Sequence, residues 1–236
     1  MKKFVSSVMT AVLCSSFVCG NSSDTGKSVR IVDLFMDNYA VWSESALFSD
    51  NISVGFLDID FDGEPELTTK ISGGSGMFTY LKFYNIVDNK ISEMNISGLR
   101  DFPDSELKLY YNKNTHIMEY FGNNTYKSGI MYNSDTFSSF AYHDSVDAIV
   151  STEYFSRIYE NKDIEIYSPT LKYYDYQKNT EITEEEYNLL KENIYGNLTD
   201  MNLNYSFVNM HNLSEEDLKQ ALIQSYNTFS YSDKDI

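Results

Sequence analysis

The stretch Phe56-Leu57-Asp58-Ile59-Asp60-Phe61-Asp62-Gly63-Glu64-Pro65-Glu66-Leu67 decides how this chain is read, because it sets acids on alternate residues around a glycine. Carboxylates this close repel one another, and a hard cation held among oxygen ligands relieves that repulsion. Counting Asp58 as position one, side-chain oxygens fall at one, three and five (Asp58, Asp60, Asp62), glycine at six, the Glu64 carbonyl at seven and Glu66 at nine. The flanks, Ile52 to Leu57 and Leu67 to Ile71, alternate and are rich in β-branched residues, so the loop joins the two strands of a hairpin over residues 52–71. The expected metal ligands are Asp58, Asp60, Asp62, Glu64 and Glu66, and the expected ion is calcium. The competing reading is that the acids decorate a tight hairpin and discourage edge-to-edge pairing.

The N-terminus reads as an address rather than as part of the fold. Lys2 and Lys3 precede an apolar stretch from Val5 to Val18, with Val18 and Gly20 as a small-residue cleavage pair, so residues 1–20 are expected to be a signal peptide. Residues 21–28 then read as a polar tether, and residues 29–236 as a single domain. Both cysteines, Cys14 and Cys19, lie in or beside the leader, so the mature domain is expected to hold no disulfide. The sequence VCGNSSD around Cys19 looks like the junction of a bacterial lipoprotein. Free secretion and lipid anchoring through Cys19 at the extracellular face of a bacterial membrane both stay open, and no transmembrane segment is expected once the leader is removed.

Charge narrows the partners. The chain of 236 residues carries a formal charge of −17, and loss of Lys2 and Lys3 with the leader makes it −19. A surface so short of lysine and arginine cannot neutralise phosphates, which argues against nucleic acid, and it favours cations.

Twenty tyrosines and fifteen phenylalanines recur in short runs alternating with polar residues, which favours strands. Tyr80 to Ile86 and Ile91 to Ile96 flank an Asp88-Asn89 turn, and Leu107 to Tyr111 and His116 to Phe121 make a second hairpin. Asn123-Asn124 reads as a turn into a further strand near Tyr126 to Tyr132, and Ser151 to Tyr159 with Asp163 to Tyr167 as a third pair. Helical spacing appears over Val29 to Leu47, after Thr183 with Glu186 as a capping box and Gly196 as stop, and from Glu215 to about Tyr226 after Ser214. The expected fold is therefore α+β: an antiparallel β-meander of successive hairpins, with an N-terminal helix and C-terminal helices packed on it.

The acidic loop departs from an EF-hand, since position twelve is Thr69, position eight is Pro65 and the flanks are strands. It resembles the calcium-binding hairpin loops of FG-GAP and integrin-type repeats. With CGNSSD, GGSGMFTYLKFYNIVDNKI and the late KNTEITEEEYNLL, the loop also makes residues Arg30 to Asn197 resemble a broad, mostly uncharacterised group of exported proteins and lipoproteins of gut Firmicutes. That resemblance implies a surface-exposed calcium-binding domain with no assigned catalysis.

Enzyme signatures are thin. His116, His143 and His211 are widely separated, Ser75 lacks the GxSxG spacing, and Gly73 to Gly76 lack the lysine and helix of a phosphate cradle. Carboxylate-pair hydrolase chemistry stays open on acid content alone. Two binding roles stand ahead of it. One is a calcium-stabilised adhesion or scaffold domain meeting a cell-surface protein; the other is a carbohydrate-binding module meeting a polysaccharide through exposed tyrosines.

Overall fold

The computed structural model describes residues 25–43, 52–73, 78–97, 106–128, 132–161 and 168–232. The leader, most of the polar run after it, the glycine-rich connector at 74–77 and the run at 163–167 lie outside the described residues.

Among the described residues, thirteen strands form two sheets. The smaller holds β1 (Ile52–Leu57), β2 (Glu66–Gly73), β3 (Phe78–Val87), β4 (Lys90–Glu93) and β13 (Phe207–Asn209), in the order β13-β1-β2-β3-β4. The larger holds β6 (Lys108–Asn112), β7 (Ile117–Ser128), β8 (Tyr132–His143), β9 (Ala148–Glu160), β10 (Thr170–Asp175), β11 (Thr180–Ile182) and β12 (Leu198–Asp200), in the order β11-β10-β9-β8-β7-β6-β12. The short β5 (Ile96–Ser97) pairs with β9 in parallel, and every other strand pair is antiparallel. Neighbours in sequence are mostly neighbours in the sheets, so the α+β class and the meander hold.

Side-chain alternation along the strands builds the layers. Leu57, Leu81 and Phe83 of the smaller sheet share one core with Leu109, Tyr120, Phe140 and Ile149 of the larger, and the Phe83 and Phe140 rings lie 5.7 Å apart. The opposite face of the smaller sheet, with Val54, Phe56, Leu67 and Tyr84, is covered by Ile31, Val32 and Phe35 of α1 (Thr25–Asp37) and by Leu218 and Leu222 of α4 (Glu215–Thr228). The outer face of the larger sheet, with Phe121, Phe137 and Phe155, is covered by Tyr187, Leu190 and Ile194 of α3 (Glu184–Gly196). The order is helix, sheet, sheet, helix.

Local chemistry explains several elements. Asp88 and Asn89 both take positive φ (52° and 60°), as a two-residue hairpin turn requires, so β3 and β4 meet there as expected. Thr183 and Glu186 close a reciprocal capping box, and Ser214 accepts from the Asp217 amide, so α3 and α4 start where the sequence places them. Gly55 has a different reason: a Cβ there would lie 2.5 Å from the Ser206 carbonyl oxygen, so only glycine admits this close passage beside β13.

Some expectations are corrected. Asn123-Asn124 is no turn; β7 runs through it, because both asparagines sit in the ladder opposite Phe137 and Thr136 of β8. The strand from Ile91 does not reach Ile96: β4 ends at Glu93, and Ile96 crosses to the other sheet as part of β5. The expected tether end at residues 25–28 is helical, with Ser28 fully buried and Lys27 paired with Glu64. The helix expected over Val29 to Leu47 is broken: α1 ends at Asp37, Asn38 Nδ2 caps the Leu34 carbonyl at 2.8 Å, and α2 (Tyr39–Ser43) buries Trp42, whose indole donates to the Phe35 carbonyl at 2.7 Å.

Candidate metal centre

The loop between β1 and β2 is drawn tight by its own backbone. Leu57 pairs with Glu66, so the loop closes where the ladder ends. Asp60 Oδ1 accepts from the Asp62 amide at 3.2 Å and Asp62 Oδ1 from the Glu64 amide at 2.7 Å, successive turns for which short acidic side chains are suited. Gly63, at φ +88°, allows its amide to reach Asp58 Oδ2 at 3.1 Å.

These turns gather three acids. Carboxylate oxygens of Asp58, Asp60 and Glu66 all lie within 4.8 Å of one another, and no other group of three acids, histidines or cysteines among the described residues approaches so closely. Opposite ligands of one calcium ion stand about 4.6–5.2 Å apart at Ca–O distances of about 2.3–2.6 Å, so a single ion reaches all three. The side chains of Asp62 and Glu64 do not join the group, and Glu64 is expected to serve through its carbonyl instead. Asp62 adds charge nearby, while the Glu64 side chain turns out to solvent and pairs with Lys27 at 3.0 Å. That pair is exposed and contributes little stability.

The three acids sit in a demanding environment. Asp58 and Glu66 are 1% and 4% exposed. Burial first, then the charges of Asp62 and Asp60, push the Asp58 carboxyl up to about 6. Burial likewise pushes Glu66 up to about 9, against the opposing effect of the Ile59 amide, which donates to Glu66 Oε2 at 2.7 Å. Asp60 is raised by burial and by Asp62. Most telling is Asp58 Oδ1, a buried carboxylate oxygen with no hydrogen-bond partner among the described residues. A buried acceptor left unmatched costs about 1–3 kcal/mol, and more when charged, which a cation against that oxygen removes. The donor set is all oxygen, as calcium or magnesium requires and as zinc or copper does not favour. An open cleft of about 230 Å³ between α1 and the end of β3, lined by Ile31, Val87, Asp60 and Glu66, gives an ion a way in.

Three aromatic residues support the loop from behind. Phe61, inside the acidic run and at φ 59°, turns its ring away from the acids and stacks on Tyr120 with centroids 5.8 Å apart. Tyr120, fully buried on β7, donates its hydroxyl to the Asp58 main-chain oxygen at 2.9 Å. Tyr231 reaches Asp58 Oδ2 at 3.3 Å and meets Phe61 edge-on. Sequence reasoning missed both tyrosines, which lie 62 and 173 residues from Asp58. The one local clue is Phe61 itself, since a large ring in an otherwise charged loop needs a buried place to go.

His116 and His211 are exposed and His143 is half-buried, and none belongs to an acid or histidine group with ligand spacing among the described residues. Ser75 lies outside those residues. No protein-family model, no curated protein and no solved structure matches the chain.

Proposed function

We propose that this chain is an exported, calcium-binding surface domain in which the ion, held by Asp58, Asp60 and Glu66, fixes the β1–β2 loop for adhesion, scaffolding or ligand binding. Catalysis is not part of the reading. The observation that carries it is the buried, unpartnered Asp58 Oδ1 beside two further carboxylates, one of them also buried. A protein that buries two acids with no lysine or arginine against them among the described residues calls for either protons or a metal, and an ion reaching these oxygens displaces the protons. Calcium is preferred over magnesium because its bonds are longer and less regular, which suits carboxylates gathered by a loop whose backbone turns are already set. Export is supported by the leader-like residues 1–20 and by the strongly acidic surface.

Calorimetric and thermal-melting titrations of the protein with calcium, carried to millimolar concentrations, test this reading. Extracellular calcium modules bind at about 10⁻⁴–10⁻³ M, and the proposal expects heat of binding and a higher melting temperature in that range. Both are expected to vanish in Asp60→Ala/Asp62→Ala. A protein that is already folded and shows neither signal rules the metal reading out.

A further inference from the structure

A second concave site lies on the far side of the larger sheet. Along α3, Glu184, Tyr187, Asn188, Lys191 and Tyr195 recur at intervals of three and four, so they share one flank of the helix. Facing them on the sheet are Asp135 of β8 and Arg157 of β9, directly opposite one another in the ladder. Between helix and sheet is an open cleft of about 210 Å³.

The chemistry of this cleft is unusual for a helix seat. A helix lying on a sheet normally turns an apolar stripe inward; α3 does so with Leu190 and Ile194, but its neighbouring flank presents two charges and an amide to the cleft. Asn188 and Lys191 have no hydrogen-bond or ion-pair partner among the described residues. Asp135 and Arg157 meet only at 3.9 Å, with both side chains part-exposed. The aromatic wall is fixed: Tyr187 stands edge-on to Phe155 at 5.2 Å and against Tyr173 at 4.8 Å, while Tyr195 packs on Phe137 at 5.1 Å.

Two acids balance two bases, so the cleft is neutral in a chain of charge −17. An anion gains nothing net there, and a cation finds a stronger pull at the acidic loop. The cleft brings acceptors (Asp135, Glu184), donors (Arg157, Lys191) and an amide (Asn188) together beside tyrosine rings, a set met by hydroxyl groups, which both donate and accept, on a ring whose C–H face lies against an aromatic. Pockets for drug-sized ligands run to roughly 300–1,000 Å³, so this one takes a single ring. We propose that the cleft between α3 and Asp135/Arg157 binds one ring of a neutral saccharide, and that it does so without the metal. The Asp58 loop is attached to the inner face of the sheet through Tyr120, whereas this cleft is on the outer face, so the two sites stand or fall separately.

The test is an amide-resolved NMR titration of the protein with glucose, galactose and N-acetylglucosamine to tens of millimolar, run with chelator and again with calcium. At least one sugar is expected to give saturable shifts at Asn188, Lys191 and Arg157, equal in both conditions. Arg157→Leu and Asn188→Ala are expected to weaken that binding by about tenfold, the effect of one lost hydrogen bond of about 1.4 kcal/mol, while Lys90→Ala, at the β3–β4 turn of the other sheet, leaves it unchanged. Asn188 is an exposed helix position, so its alanine variant folds even if Arg157→Leu does not. Shifts from no sugar, the same shifts from glycine but from no sugar, or binding that needs calcium would each overturn the proposal.

Discussion

The Tyr120 hydroxyl and the Asp58 main-chain oxygen, 2.9 Å apart, join the first residue of the acidic loop to the middle of the opposite sheet. The loop is thus held from behind by a buried strand residue while its carboxylates face an open cleft. Tyr120→Phe keeps the ring stacked under Phe61 and removes only the hydroxyl, leaving the Asp58 carbonyl without this buried donor. We expect a loss of about 1–3 kcal/mol in denaturant unfolding and a weaker calcium titration. Unchanged stability would mean that the hydrogen bond does not anchor the loop.

Phe61 tests the same anchoring from the loop side. Truncation to alanine removes the stack on Tyr120 and the edge contact with Tyr231. Full burial of a phenylalanine makes truncation cost about 3–5 kcal/mol, and this ring is half-buried, so about 1–3 kcal/mol is expected by chemical denaturation. Calcium affinity falls in parallel, because binding must then order a loosened loop. A stability loss with unchanged affinity would separate packing from metal binding.

The raised carboxyls set a pH dependence with a definite sign. In chelator, Asp58 (about 6 folded against an ordinary 3.8) and Glu66 (about 9 against 4.5) hold protons that the unfolded chain has already released. Their contribution therefore favours folding at acid pH and is progressively lost as pH rises from about 4 through 6 for Asp58 and on to 9 for Glu66. With calcium the trend inverts, since protons compete with the ion for the same oxygens. Melting curves at several pH values should show the calcium-induced rise growing from pH 5 to pH 8. A rise independent of pH would place the ion elsewhere.

Gly55 is a packing prediction independent of metal. Gly55→Ala drives a methyl to within 2.5 Å of the Ser206 carbonyl, itself held at 2.7 Å by Ser225 Oγ of α4, so β13 must shift. A loss of about 1–3 kcal/mol is expected by thermal or denaturant unfolding. A neutral substitution would show that the β1–β13 edge yields.

What was legible in the sequence was local. The Asp88-Asn89 turn, the Thr183 capping box, the Ser214 start and the acidic loop each rest on neighbouring residues whose chemistry dictates a conformation. What was not legible depends on distant partners. Asn123-Asn124 has turn composition, but pairing with β8 overrides it. Tyr154 is an extra residue between Glu153 and Phe155, opposite Ser138 and Phe137; the bulge lets Ile149 face the inter-sheet core and Phe155 face α3, a switch that strict alternation forbids. Of the five expected ligands, Asp58, Asp60 and Glu66 converge. The Asp62 carboxylate stays outside that group, with its Oδ1 engaged by the Glu64 amide, while Glu64, expected to serve through its carbonyl, turns only its side chain to Lys27.

The most direct test of the central claim is a crystal structure of the protein grown in millimolar calcium, compared with one grown in chelator. The account predicts a density peak at about 2.3–2.6 Å from Asp58 Oδ1 and from oxygens of Asp60 and Glu66, present only with calcium. A well-ordered loop in both crystals, with no peak among these three carboxylates, would contradict it.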